Sequence, residues 1–369
     1  MDLTALVPKA VGEDFDDAPP GHRYRLYLQF WNRVDFSPTK KEKLDALRPL
    51  CELPDHSKKL MAALAERARA PDSETTLSLP AISTAPFSTG LGWEHPNENG
   101  FAFLDPYGLP YLAGSGVKGV LRRAARELAR DPAGETAGWT DEAITALFGE
   151  EDPKKPHAQG ALRFWDVIPE LAGGRLDVDI LNPHYGDYYQ KGGTPHDAGQ
   201  PVPVFFLIVP PKSRFHFRVD LIAPNRLAEN LRKAWKVLMQ DALEYAFDWL
   251  GFGAKTAVGY GAMRVDPHGL EVLQAQAAAR AEHDRQAAMT PEQLRIDELR
   301  QLHDRLKAAG EKQNITGSLY MKLRETTLSA GDWPAQARQD LAELARDIIQ
   351  YLDIRKNPKA KELLKSLDP

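Results

Sequence analysis

Four glycines lie close together at residues 251–261, between a long helical pattern and a short apolar stretch. Glycine has no Cβ and adopts positive φ angles at little cost, so four of them allow a turn that other residues would obstruct. Such a turn can expose backbone N–H groups to a bound anion. The sequence therefore predicts a ligand-contacting loop, here called the glycine loop, whose candidate residues are Gly251, Gly253, Lys255, Thr256, Gly259 and Gly261.

Two nucleotide-binding motifs do not fit the glycine loop. A phosphate-binding P-loop needs glycine at the positions that Trp249 and Ala254 occupy. The dinucleotide fingerprint needs a third glycine in place of Thr256 and a strand, not a helix, before the loop. The structural alternative is a helix C-cap followed by a turn, which explains Gly251 but leaves the other three glycines unexplained. We therefore favour a functional loop.

A second glycine-flanked segment predicts a helix with two unlike faces, for which Ser115 is a suitable N-cap. At about 100° per residue, one face is apolar and the other is basic. The basic face holds Lys118, Arg122, Arg123, Arg126 and Arg130. With Glu127 as the single acid on this helix, the local charge is +4. A solvated surface stripe is the usual outcome of such a run, but the excess of one sign and the helix N-terminus favour contact with phosphates.

The overall charge limits which partners the whole surface can attract. With 47 basic and 52 acidic residues the net charge is -5, so a nucleic acid would have to be held by a local patch. Cys51 is the only cysteine, which excludes an intramolecular disulfide and a cysteine-based zinc site. The most apolar run, residues 202–209, is too short to span a bilayer, and no leader pattern is seen. We expect a cytoplasmic protein without a membrane partner.

The order of the elements predicts an α+β fold. Strand patterns cover residues 76–82, 161–168, 202–209 and 214–222, and the last two are predicted to pair as a hairpin. A long helix precedes the glycine loop, with an apolar face made of Leu227, Leu231, Ala234, Trp235, Leu238, Ala242, Tyr245 and Trp249. Strand, helix, strands, helix, strand is the order of a sheet with helices on one face, as in ferredoxin-like domains.

The regions before and after this predicted α+β core differ in their sequence patterns. Residues 24–30 fit either a strand or a helix, and residues 56–70 predict a helix that ends at Pro71. From Leu270 onward the chain reads as helices with 16 basic and 16 acidic residues, a capping box at Thr290, a stop at Gly310 and a new start at Asp332. We predict an N-terminal segment (1–73), a core (74–268) and an all-helical C-terminal extension (269–369).

Several motifs, taken in order, resemble the RAMP superfamily of CRISPR-associated proteins. They are residues 89–92, 108–111, 114–122, 147–149, 179–185, the pair Tyr188 and Tyr189, and residues 251–261. The resemblance covers about residues 80–266 and is to the sixth-subunit family of type III-B Cmr effector complexes. Ala113 and Gly116 stand where that family usually shows proline and serine. The helical extension matches no motif of the family.

The resemblance implies a ferredoxin-like, RRM-like RAMP core that binds the crRNA near its 3′ end, opposite the 5′ tag, and caps a filament without being the nuclease. The implied partners are crRNA, target RNA, the backbone RAMP subunit, the small helical subunit and the terminal RAMP subunit, and no cofactor is implied. Phosphate contact without base reading suits such a subunit, because guide pairing supplies the sequence specificity. On the basic helix, the candidate RNA-binding residues are Ser115, Lys118, Arg122, Arg123 and Arg126.

An enzyme is the rival interpretation, namely a metal-independent RAMP endoribonuclease with a histidine base beside a lysine or tyrosine. His95 and His184 are the candidate bases, with Tyr188 as a secondary candidate. A lone loop histidine is more often structural, so we favour the binding subunit. Residues 170–201 hold several Asp and His side chains but lack metal-ligand spacing, and we predict no metal site.

Overall fold

The computed structural model describes residues 3–12, 14–38, 43–130, 138–156, 158–182 and 203–367. It divides into two compact units, Met1–Ala275 and Gln276–Pro369. No helix in these ranges is long and apolar enough to cross a membrane.

The first unit mixes strands and helices. Its strands are β1 (Leu3–Thr4), β2 (Trp31–Asn32), β3 (Thr76–Ser83), β4 (Phe103–Leu104), β5 (Leu109–Pro110), β6 (Leu162–Phe164), β7 (Asp177–Leu181), β8 (Val204–Ile208), β9 (Arg214–Leu221) and β10 (Met263–Val265). Its helices are α1 (Pro20–Arg25), α2 (Lys43–Cys51), α3 (Asp55–Ala68), α4 (Gly114–Ala129), α5 (Asp141–Phe148) and α6 (Glu229–Tyr245). The helix α7 (Pro267–Ala287) follows β10.

The central sheet has the strand order β10-β3-β9-β6, and each neighbouring pair is antiparallel. With α4 between β3 and β6, and α6 between β9 and β10, the chain runs strand, helix, strand, strand, helix, strand. The predicted α+β class is therefore confirmed, and the ferredoxin-like core is compatible with this order.

The two sides of the central sheet differ in chemistry. Phe215, Phe217, Val219 and Leu221 alternate along β9 and are buried, as their spacing predicted. Phe217 packs on Phe247 just after α6, with ring centroids 5.2 Å apart. The intervening β9 residues lie on the opposite side, here called the polar face, whose members include Thr76, Ser78, His216, Arg218 and Asp220.

The predicted hairpin of residues 202–209 and 214–222 is wrong. β8 pairs with β7 in a separate two-stranded sheet, whereas β9 pairs with β3 and β6. Pro210 cannot donate a ladder hydrogen bond, so the chain leaves the small sheet there and enters the central sheet at Arg214. The Ser213 hydroxyl fixes the crossing by donating to the Pro210 carbonyl oxygen at 2.7 Å.

The long helix before the glycine loop is confirmed, but its last predicted core residue is wrong. Trp235, Leu238 and Ala242 are buried, whereas Trp249 is 76% exposed. The final turn, Ala246–Leu250, is π-helical, with the Gly251 N–H donating to the Ala246 carbonyl oxygen five residues back. A π turn rotates the side chains that follow it relative to an α-helix, and Leu250 rather than Trp249 faces the core.

The N-terminal region shares the core of the first unit. The ambiguous residues 24–30 begin in α1 and then extend, and Tyr24, Leu28 and Phe30 are buried in the same hydrophobic cluster as the sheet. The helix predicted at residues 56–70 is confirmed as α3.

The second unit continues with α8 (Pro291–Ala308), α9 (Ser318–Leu328), α10 (Ala335–Tyr351) and α11 (Pro358–Leu367). The capping box at Thr290 and the stop at Gly310 are confirmed. The start at Asp332 is wrong, because α10 begins at Ala335 after Pro334. The apolar stripes pack on one another in a separate hydrophobic cluster that includes Leu299, Leu306, Leu341 and Ile348.

Candidate nucleic-acid interface

The N-terminus of α4 already holds a carboxylate of its own chain. The helix begins at Gly114 with Ala113 as the N-cap, so the predicted cap at Ser115 is wrong. The Gly114 N–H donates to the Asp166 carboxylate at 2.7 Å. Negative charge is what a helix N-terminus favours, and Asp166 supplies it. Ser115 is exposed beside this contact.

Arg122 is buried rather than presented on an open basic face. It is 9% exposed, and its guanidinium donates to the carbonyl oxygens of Phe148 at 2.6 Å and Gly149 at 3.3 Å. It also pairs with Glu151 and lies over the Phe148 ring, 5.7 Å from the centroid. These contacts close the C-terminus of α5, so Arg122 acts first as a structural residue.

The other arginines of α4 are paired with carboxylates. Arg123 binds Glu127 one turn along the helix at 2.7 Å, and Arg126 binds Glu151. Hydrogen bonds from Arg126 and Arg122 lower the pKa of the Glu151 carboxyl below its ordinary value. Since Glu151 comes from outside the helix, the local charge is one unit lower than the sequence indicated.

A cleft beside α4 carries positive charge that remains available. This α4 cleft has a volume of about 830 Å³, and its lining includes Lys118, Arg122, Glu150, Gln159 and Arg226. Burial, and then the neighbouring Arg122, lower the pKa of the Lys118 ammonium. Within the described ranges neither Lys118 nor Arg226 forms an ion pair, whereas Glu150 pairs with Lys155 at 3.4 Å. An anion can therefore bind the cleft without displacing a protein partner.

Arg226 and Gln159 are residues of the cleft that the sequence did not indicate. Arg226 lies in a short 3₁₀ turn after β9, and Gln159 forms an isolated bridge with Gly149. Neither belongs to a recognisable motif, and only the fold brings them to α4.

All four glycines of the glycine loop have positive φ angles, which explains their number. The φ angles are 67° at Gly251, 87° at Gly253, 92° at Gly259 and 69° at Gly261. A Cβ at Gly261 would lie 2.8 Å from the Phe252 carbonyl carbon and closer still to its oxygen. The glycines thus let the loop fold closely upon itself.

The expectation that the glycine loop exposes its N–H groups is largely wrong. Seven of them donate to backbone carbonyl oxygens, namely those of Gly251, Phe252, Ala254, Val258, Gly259, Tyr260 and Gly261. A tight turn satisfies its polar groups internally, because buried N–H groups without acceptors are costly. Anion binding here must therefore depend mainly on side chains.

Lys255 is the cation of the glycine loop, and two aromatic rings lie beside it. Its ammonium lies 4.9 Å from the Phe206 ring centroid and 5.5 Å from that of Tyr260. The Tyr260 hydroxyl donates to Asp179, and burial together with this carboxylate raises the pKa of Tyr260 to about 12. Thr256, half-buried, begins a 3₁₀ turn whose last residue, Val258, is 71% exposed.

The two halves of the predicted site have different neighbours. The basic residues of α4 contact α5 and the segment after it, whereas the glycine loop packs on Ser88 and on the two-stranded sheet of β7 and β8. A single continuous RNA surface through both halves stays a prediction.

His95 is a structural histidine. One ring nitrogen contacts the Tyr24 carbonyl oxygen at 3.0 Å, and the other accepts from the Asn97 N–H at 3.1 Å. The ring stacks on Tyr24 with centroids 3.8 Å apart, and burial lowers the pKa of the imidazole. With both nitrogens occupied, His95 is not placed to act as a base. His184 and Tyr188 lie outside the described residues.

A match to a known family falls on this same region. Residues 84–264 match the model of the RAMP superfamily. The chain is 30% identical over 222 residues to the CRISPR system Cmr subunit Cmr6 of Pyrococcus furiosus, covering 47% of this chain and 63% of that protein. It is 31% identical over 165 residues to the Cmr6 subunit of Saccharolobus solfataricus, covering 44% of this chain and 47% of that protein. The chain thus spans less than two thirds of either relative.

Two solved structures give weaker matches. A type III-B Cmr-beta complex bound to cognate target RNA contains a chain with 20% identity and a TM-score of 0.43, covering 62% of this chain and 71% of that one. The crystal structure of Cmr6 from Pyrococcus furiosus gives 24% identity and a TM-score of 0.29, covering 52% and 98%. Similarity at this level carries no argument about function. The family and sequence matches confirm the resemblance that the motifs indicated.

Proposed function

We propose that this chain, a RAMP superfamily protein similar to Cmr6 subunits, is an RNA-binding subunit of a type III-B Cmr complex. The observation that carries the proposal is the α4 cleft, which Lys118 and Arg226 line together with Arg122, and where neither Lys118 nor Arg226 forms an ion pair with any residue that the structure describes. Cations of this kind neutralise phosphates and release counterions from RNA. The cleft lies within residues 84–264, the part that matches the superfamily.

Recognition of the RNA backbone fits these side chains better than recognition of bases. Lysine and arginine at the cleft, and Lys255 at the glycine loop, supply charge. Contacts to phosphate position an RNA without reading its sequence. A complex whose specificity comes from guide pairing requires that kind of contact.

Within the complex, we propose that the chain binds the crRNA near its 3′ end and caps the filament without cleaving RNA. Its partners would be crRNA, target RNA, the backbone RAMP subunit, the small helical subunit and the terminal RAMP subunit. The occupied nitrogens of His95 support a role without catalysis.

The test is a salt titration of RNA binding with single-site variants. Lys118→Ala, Arg226→Ala and Lys255→Ala should each weaken binding to unrelated RNA sequences alike and lower the salt slope by about 0.7. Lys233→Ala is the matched control, since Lys233 is exposed on α6 and paired with Glu229. Unchanged affinity in the triple variant would overturn the site, and loss confined to one sequence would contradict backbone recognition.

The alternative is a RAMP endoribonuclease that processes crRNA precursors. It predicts that the purified chain cleaves a repeat RNA in the presence of EDTA, and that His184→Ala abolishes this cleavage. The proposed function predicts intact RNA in the same assay.

A further inference from the structure

The polar face of the central sheet holds a fixed tryptophan at its β6 edge. Trp165 continues β6, and its backbone N–H donates to the Arg218 carbonyl oxygen at 3.2 Å. Arg163 is the direct cross-strand partner of Asp220. Because side chains alternate along a strand, Arg163 and Trp165 share the face that carries Arg218 and Asp220.

The Trp165 ring is held by contacts of defined geometry. Its indole N–H donates to the Asp220 carboxylate at 2.7 Å, and the Arg218 guanidinium lies 4.3 Å from the ring centroid. Arg218 in turn binds both Asp220 oxygens at 3.0 Å, and the Thr76 hydroxyl donates to the same carboxylate at 3.1 Å. These bonds restrict rotation of the indole, although Trp165 is only half-buried.

Arg163 adds a free positive charge beside this ring. Its side chain is exposed, and in the described part of the chain it has no carboxylate partner. Arg218 is different, because Asp220 already neutralises it. A restrained aromatic ring beside an unpaired cation is the pairing that proteins use for single-stranded nucleic acids, with a base on the ring and a phosphate at the cation.

We propose that Trp165 and Arg163 form a second RNA contact, in which one unpaired base stacks on the indole and the adjoining phosphate binds Arg163. This site is separate from the α4 cleft and the glycine loop, and it rests on the proposed function because it needs the chain to bind RNA. The ligand class is single-stranded RNA, since bases paired in a duplex do not expose a ring for stacking.

Affinity and salt dependence separate the two parts of the contact. With a labelled oligoadenylate of about 12 nucleotides and the full chain, Trp165→Leu should weaken binding about tenfold and leave the salt slope unchanged. Trp165→Phe keeps a stacking ring and should stay within about threefold of the wild type. Arg163→Gln should lower the slope by about 0.7. Trp93→Leu is the matched control, because Trp93 is an exposed tryptophan that likewise lies beside an arginine, with the Arg25 guanidinium 5.2 Å from its ring centroid.

A crosslink in the unaltered chain tests the site even where Trp165→Leu disturbs the fold. An oligonucleotide with 5-bromouridine should crosslink to Trp165 on irradiation, and a fully paired duplex should not. A crosslink map without Trp165, or unchanged affinity in folded Trp165→Leu, would show that the contacts among Trp165, Arg218 and Asp220 only anchor β6 to β9. If the Lys118 and Lys255 variants weaken binding while Trp165→Leu does not, this inference fails and the proposed function stands. If the wild type binds no RNA, both fail.

Discussion

The Arg122 guanidinium donates to the Phe148 carbonyl oxygen at 2.6 Å, so that a residue of α4 fixes the end of α5. We predict that Arg122→Ala lowers the free energy of unfolding by about 2 to 4 kcal/mol, because it leaves the buried Phe148 carbonyl oxygen and the part-buried Gly149 carbonyl oxygen without their donor. Urea unfolding measures this change.

Arg123 on the same helix is the matched control for Arg122. It is exposed, and within the described ranges its ion pair is with Glu127, so Arg123→Ala should change stability by no more than about 0.5 kcal/mol. Equal effects of the two substitutions would show that the burial of Arg122 contributes little to stability.

Substitution of Gly261 and of Gly259, two residues of the glycine loop, should have unequal effects on stability. Both have positive φ angles, but a Cβ at Gly261 would collide with the Phe252 backbone, whereas a Cβ at Gly259 would meet nothing within 4 Å. Gly261→Ala should therefore cost at least about 3 kcal/mol, and Gly259→Ala only about 1 kcal/mol for its left-handed conformation. Thermal unfolding of both variants distinguishes a closely packed turn from one that merely needs positive φ.

Because of His216, we expect the free energy of unfolding to depend on pH in the acidic range. Burial, and then the charges of Arg69 and Arg218, lower the pKa of His216 from 6.5 to about 4. Its ring nitrogen lies 2.7 Å from the Ser78 hydroxyl on the polar face. Between pH 6.5 and 4 the unfolded chain binds a proton that the folded chain does not, so the free energy of unfolding falls as the pH is lowered.

The size of this fall is about 3 kcal/mol over the whole window. His216→Gln keeps a polar group that can bond Ser78 but does not titrate between pH 6.5 and 4. Over that range the free energy of unfolding of the variant should therefore fall by about 3 kcal/mol less than that of the wild type. Because His95 also has a lowered pKa, the informative quantity is the difference between wild type and variant in urea midpoints at several pH values. A parallel pH dependence of the two proteins would contradict the assignment.

The elements that the sequence predicted well depend on local patterns. The alternating apolar residues of β9, the helix α3 and the capping box at Thr290 are each determined by residues a few positions apart. Their physical causes are side-chain period and the capping of N–H groups, which a single segment contains.

The errors arose where a distant segment decides the outcome. Arg122 looked like part of a basic stripe, but its acceptors Phe148 and Gly149 lie 26 and 27 residues further along the chain. The two strands around Pro210 looked like a hairpin, but each has a better partner elsewhere. Trp249 was predicted to face the core on the assumption that the helix stays α-helical to its end, whereas its last turn is π-helical. Helical or strand period cannot reveal such tertiary partners.

The α4 cleft shows the same limit for function. Lys118 could be found from its motif, whereas Arg226 reaches the cleft only through the turn after β9. The glycines were correctly singled out, but for a different reason, because they allow close packing and their N–H groups are largely used inside the protein.

The helical unit Gln276–Pro369 has a hydrophobic cluster of its own, which allows its contribution to be tested separately. Leu341 is fully buried there, so Leu341→Ala should destabilise this unit by about 2 to 5 kcal/mol. With 16 basic and 16 acidic residues from Leu270 onward, this region has little net attraction for phosphates, and RNA affinity should change at most a few-fold.

Leu328 is the matched exposed leucine, and with Met321 it lies on one face of α9, seven residues apart. Leu328→Ala should leave the unfolding free energy within about 0.5 kcal/mol of the wild type. If the unit docks on a neighbouring Cmr subunit through this face, Leu328→Ala should reduce co-purification of partner subunits. A chain of residues 1–287, which keeps Leu270 against the first core, should lose the same partners while still binding RNA. Normal assembly with loss of RNA binding would instead place the helical unit in the RNA path.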